Sequence, residues 1–279
     1  VQFLFKIYQR ITWLSIDVVL GAMAGMLFFA KALRVDLAWQ EYVLLGMAVW
    51  CIYTADHLMD ARKLASDHVE DRHHFHLIYQ KPLVILLGLV GAAGLFWAIQ
   101  FFGFSHELYF GAGLGLLILG IMLAVRKLAS KQVRLKELSS AIFYVIGISW
   151  LPWYETAQID YTWIAFALTI LYMGLAYLNL IMLSSLDIES DNAAGFSSIA
   201  TIIPQERLNP RIRQLATGLI AAAFLGLLFV NSLYKILPAL FLIMLLIHYL
   251  SFFKSDLRPE QVRMRMEIAF LIPALLLLF

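Results

Sequence analysis

Two pairs of aspartates carry the clearest chemical signal in the sequence. Asp56 and Asp60 lie in WCIYTADHLMDARK, and Asp187 and Asp191 lie in LIMLSSLDIESDNAAGF. A spacing of four places both carboxylates of a pair on one helical face. Carboxylates gathered in this way suit a hard divalent cation such as Mg²⁺, which takes oxygen ligands and keeps room for substrate phosphates. Each pair is expected at the C-terminal end of an apolar helix, where the helix dipole disfavours negative charge. Two carboxylates one turn apart also repel each other, and desolvation near a membrane raises both costs. A positive charge is therefore expected beside them. For one pair alone, a solvated helix end is the plainer reading. Equal spacing on two corresponding helix ends argues for a shared metal role. Glu189 is expected to be solvated or to support the ligands from behind.

The elements that position these residues follow from the apolar content. The chain has 279 residues, of which 62% are hydrophobic and 14% charged. Soluble domains carry about a quarter charged residues, so this composition excludes an ordinary soluble globule and a disordered chain. Nine apolar runs can span a bilayer, at about 11–31, 38–55, 82–103, 107–125, 137–154, 161–184, 211–231, 235–253 and 264–279. The runs are continuous and do not alternate, so helices are expected and a barrel is not. The expected fold is an all-α polytopic membrane protein, with nine transmembrane helices around a central cavity in a single domain, 1–279. With a cytoplasmic N-terminus, 18 of the 21 lysines and arginines fall on the cytoplasmic side, which is the positive-inside arrangement. Both aspartate pairs then reach the cytoplasmic face. No cleavable leader is expected, because the first apolar run is long enough to span and lacks a cleavage site. The single Cys51 excludes an intrachain disulfide.

The segment DIESDNAAGFSSIA resembles the second aspartate-rich motif, DxxxDxxxG, of the UbiA-type membrane prenyltransferase superfamily, with Asp187, Asp191 and Gly195 on its fixed positions. DHLMDARK resembles the latter half of the same family's NDxxDxxxD, with Asp56 and Asp60 on its last two aspartates. The family's Asn and first Asp fall here on Ile52 and Tyr53. The resemblance implies transfer of a prenyl group from a prenyl diphosphate to a lipophilic, usually aromatic, acceptor. It implies Asp56, Asp60, Asp187 and Asp191 as catalytic Mg²⁺ ligands, with the metal holding the diphosphate. It also implies membrane lipid as the surroundings. A bacterial cytoplasmic membrane is the expected location, and no nucleic-acid partner is expected.

A diphosphate needs basic partners besides metal. Arg134 and Lys136 in RKLASKQVRLKE are candidates, with Arg62, Lys63 and Arg72 after the first motif. Positive-inside topology by itself accounts for most bases in these loops. Tyr53, Asn179, Tyr144 and Asp17 are candidates for the acceptor and prenyl pocket. For Asn179 and Tyr144, interhelical hydrogen bonding is the structural alternative. Asp17 sits inside the first span, where a carboxylate faces a cavity or pairs with a base such as Arg10. Five of the seven histidines, His57, His68, His73, His74 and His76, cluster at and after the first motif. A polar lid accounts for them better than a transition-metal site. Two further classes stay open: a catalytically silent lipid-binding or scaffold relative, and a cation-coupled transporter. Against the transporter, no inverted repeat or broken helix pair is evident.

Overall fold

The computed structural model describes residues 8, 10–61, 71–128, 133–156, 162–194, 198–254 and 256–278. Among the described residues all regular structure is helical. In chain order the helices are α1 (Ile16–Leu33), α2 (Trp39–Ala61), α3 (Asp71–Ile78), α4 (Gln80–Phe102), α5 (His106–Leu128), α6 (Val133–Glu155) and α7 (Thr162–Leu186). They continue with α8 (Ile188–Ala194), α9 (Ile199–Ile202), α10 (Gln205–Phe229), α11 (Ile236–Phe253) and α12 (Pro259–Ala269). Two 3-10 segments, Ser232–Tyr234 and Ile272–Leu278, complete the series. Helices close their own backbone hydrogen bonds, which is what apolar surroundings demand.

Six helices are long and apolar enough to cross a membrane: α1, α2, α4, α7 from Trp163, α10 and α11. The protein is thus an all-α membrane protein. Large side chains such as Phe229, Phe104 and Leu116 lie 81%, 77% and 70% exposed, a surface that needs lipid against it. The last apolar run is not one continuous α-helix. α12 ends at Ala269 and the chain continues as 3-10 helix through Ile272–Leu278. Pro273 lies in that segment; it has no N–H to donate, and its ring clashes with the carbonyl four residues earlier in an α-helix, here that of Ala269, where α12 ends.

The chain forms two compact units. The first comprises Val1–Met23 and Ala38–Ala124, the second Ala24–Leu37 and Val125–Phe279.

In the first unit, α2 packs along α4 and against α3. Close approach is possible because α4 offers small residues there. A side chain at Gly94 would meet Met47 Cε at 3.3 Å. Trp39 and Trp97 pack with ring centres 5.5 Å apart and planes inclined at 60°. Trp50 Nε1 donates to the carbonyl of Leu14 at 3.1 Å, which ties α2 to the turn before α1. That turn uses a left-handed Ser15, φ 56°.

In the second unit, α7 is the central helix and packs against α6, α9, α10, α11 and α12. Its buried stripe, Ala165, Leu168, Tyr172, Leu175 and Met182, follows the three-and-four spacing of a helix face. Phe28, Phe29 and Phe241 gather around Tyr172 with ring centres 5.4–5.9 Å from it. On α12, Val262, Met266 and Ala269 form the buried stripe. Its start is fixed by Pro259 in the first turn and by Gln261 Oε1, which accepts the N–H of Arg258 at 3.1 Å.

Candidate functional site

The second motif lies at the end of α7. That helix is interrupted there. Ser185 O accepts from Gln205 Nε2 at 3.5 Å, and Ser190 Oγ donates to Asp187 O at 3.1 Å. α7 stops at Leu186 and α8 begins at Ile188, with Asp187 at the break. The N–H of Asp191 still donates to Asp187 O at 2.8 Å, so the two residues stay one turn apart. This corrects the expectation of a pair on one helix C-terminus. Glu189 and Asp191 occupy the first turn of α8, where the helix dipole favours a carboxylate. Glu189 is exposed, while Asp187 and Asp191 are half-buried.

The positive charge required beside Asp187 comes from the chain itself. Arg263 Nη2 on α12 donates to Asp187 Oδ1 in a direct ion pair, with both side chains about a quarter exposed. Arg263 was not among the residues expected at the site. In the sequence it is one of several bases flanking the last apolar run, and topology accounts for all of them.

A second acid was also missed. Glu137 on α6 is buried, and its Oε1 accepts the N–H of Ile199 at 2.8 Å. Glu137 thereby holds the start of α9, just beyond the second motif. Ser184 Oγ accepts the next N–H, that of Ala200, at 3.2 Å. Two side chains from α6 and α7 thus anchor the segment that follows Asp191.

Asn179 continues the inward stripe of α7, two turns before Asp187. Its Oδ1 is buried and has no hydrogen-bond partner among the described residues. This leaves a polar acceptor inside an apolar helix bundle, which is costly unless a ligand or water meets it. Tyr144 is half-buried, with its ring 6.1 Å from Phe270, so it belongs to an aromatic cluster in this unit. Lys136 is exposed. Arg134 lies on α6 and Arg72 on α3, and their side chains fall outside the described residues. Arg62 and Lys63 also lie outside the described residues.

In the first unit, Asp56 and Asp60 sit on the last turns of a continuous α2 and are half-buried. Tyr53 is one turn before His57, with ring centres 6.3 Å apart. His57 is buried against His76 of α3, with ring centres 5.1 Å apart. These two histidines therefore help dock α3 on α2, while His73 and His74 are placed on α3 by backbone alone and His68 lies outside the described residues. Asp17 is buried near the start of α1. Its Oδ1 accepts the N–H of Val18 at 3.0 Å, and its Oδ2 has no partner among the described residues.

Among the described residues, no group of three or more histidine, cysteine, aspartate or glutamate side chains is arranged to hold a metal. Within each unit the aspartate pair supplies two carboxylates one turn apart. That oxygen-only set fits Mg²⁺ when waters and phosphate oxygens complete the shell. Compared with protein-family models, curated proteins and solved structures, the chain gives no match.

Proposed function

We propose that the protein is a Mg²⁺-dependent membrane prenyltransferase of the UbiA type, transferring a prenyl group from a prenyl diphosphate to a lipophilic acceptor. The observation that carries this reading is the grouping of Asp187, Asp191 and Arg263 at the end of a long apolar helix. A metal diphosphate needs both signs of charge: carboxylates for the cation and a planar, bidentate base for the anion. Asp56, Asp60, Asp187 and Asp191 would hold Mg²⁺, and Arg263, with Lys136, Arg134, Arg62, Lys63 and Arg72 as further candidates, would hold phosphate oxygens. Bound Mg²⁺ supplies neutralisation of the charge that builds on a leaving diphosphate. The apolar helices keep the prenyl tail from water. Asn179, Tyr53, Tyr144 and Asp17 are the polar groups offered to an acceptor. Nine spans, a cytoplasmic N-terminus and a site on the cytoplasmic side of a bacterial membrane complete the proposal.

The test is a transfer assay with purified protein, Mg²⁺, labelled prenyl diphosphates of several lengths, and phenolic and quinoid acceptors. Label transfer or diphosphate release is expected, and Asp187→Asn or Asp56→Asn should abolish it. No transfer and no release across the panel would overturn the assignment. The Arg263–Asp187 ion pair also favours a second reading, a silent lipid-binding relative, because Asp187 is neutralised there without metal. Ile52 and Tyr53, on the family's Asn and Asp positions, agree with it. Prenyl-diphosphate binding without turnover would select that reading.

A further inference from the structure

α7, α9 and α10 enclose a cleft of about 280 Å³ within the second unit. Tyr177 and Ile181 come from α7, Ile199 from α9 and Ile203 from the residue after it, and Ile212 and Leu215 from α10. The remaining lining residue of note is Arg211, which is exposed and therefore stands at the rim. No hydrogen bond or ion pair among the described residues engages its guanidinium. The lining is apolar in depth and cationic at the edge. A free anion would leave the apolar depth unfilled, and a neutral hydrocarbon would leave the guanidinium unanswered. A molecule with an apolar chain and an anionic head answers both.

The surroundings decide which molecule that is. Only 17% of the apolar window of α10 is buried, so most of this helix faces the membrane. Phe224, Leu225, Leu228 and Phe229, further along α10, are at least half exposed. Arg207 and Arg213 stand near Arg211 at the polar end of the same helix. Basic residues between membrane helices at headgroup depth attract anionic lipids. The volume admits a stretch of one acyl chain and excludes the whole two-chain lipid.

We infer that this cleft is a binding site for an anionic glycerophospholipid, with part of one acyl chain between α7, α9 and α10 and the headgroup phosphate on Arg211. The site is separate from the Asp187–Arg263 pair and does not rest on the prenyltransferase reading. It would tie the segment after the second motif, held on its other side by Glu137 and Ser184, to the lipid around it.

The experiment measures binding of phosphatidylglycerol and phosphatidylcholine to delipidated protein in mixed micelles, by thermal shift and by retained lipid. Phosphatidylglycerol should stabilise the wild type at lower concentration than phosphatidylcholine. Arg211→Gln, a change on an exposed side chain, should weaken phosphatidylglycerol by about fivefold and leave phosphatidylcholine unchanged. Leu215→Trp, which fills the cleft from a half-buried position, should weaken both lipids. Inorganic phosphate at millimolar concentration should not displace the lipid. Equal binding of the two lipids, wild-type phosphatidylglycerol affinity in Arg211→Gln, or displacement by inorganic phosphate would each overturn the assignment.

Discussion

Asp187 and Arg263 meet where two charged groups are three-quarters removed from solvent. Exposed pairs contribute little, whereas leaving one partner of a buried pair alone is costly. Arg263→Met should therefore lower stability by about 1–2 kcal/mol, an intermediate value read from thermal unfolding in detergent. The double variant Asp187→Asn/Arg263→Met should recover part of that loss, because no unpaired charge remains. Equal melting of Arg263→Met and wild type would show that the pair carries no weight. Glu137 is a sharper case, because it is buried and accepts a backbone N–H. Glu137→Ala orphans the N–H of Ile199 and should cost about 1–3 kcal/mol, while Glu137→Gln keeps an acceptor and should cost less. If the two variants unfold alike, the hydrogen bond is not what holds α9. Neither residue stood out in the sequence. Arg263 is one base among several at a membrane flank, and Glu137 sits in a loop-like stretch of charge, where solvation is the ordinary reading.

At the level of elements, α7 organises the second unit because nearly every third or fourth residue on one face is small or apolar and buried. Its contact with α10 is close at Gly174, where an added Cβ would lie 2.6 Å from Leu219 Cδ2. Gly174→Ala asks only the end of a leucine to move. Gly174→Leu has no such escape and should cost about 1–3 kcal/mol by overpacking. The check is the melting temperature of the two variants, and a Leu variant as stable as the Ala variant would refute the close packing. The break at Asp187 is also an element-scale fact. The expected uninterrupted helix through Asp191 breaks at Asp187, beside the Ser185 carbonyl, which accepts from the side chain of Gln205. The spacing of the two aspartates was legible, and their one-turn separation survives the break. What changed is the sign of the dipole at Asp191, which turns from opposing to favouring the charge.

For the molecule as a whole, the bases predict the orientation and a labelling experiment reads it. In a Cys51→Ser background, a membrane-impermeant maleimide should label Ser105→Cys, in the turn between α4 and α5, in intact cells. Ser130→Cys, between α5 and α6, should react only after permeabilisation. The opposite pattern would invert the proposed topology. Apolar content and run length alone determined that the chain is helical and membrane-embedded, because hydrocarbon leaves the backbone no other way to close its hydrogen bonds. The same runs located the long helices well, and Pro273 lies where the last run has left the α-helix. The aspartate spacings were likewise written in the chain, since four residues make a turn wherever a helix forms. Which base answers Asp187, which acid holds α9, and where a cleft opens beside Arg211 were decided only by tertiary structure. Each joins side chains from helices far apart in sequence, and no local pattern encodes which helix faces are pressed together.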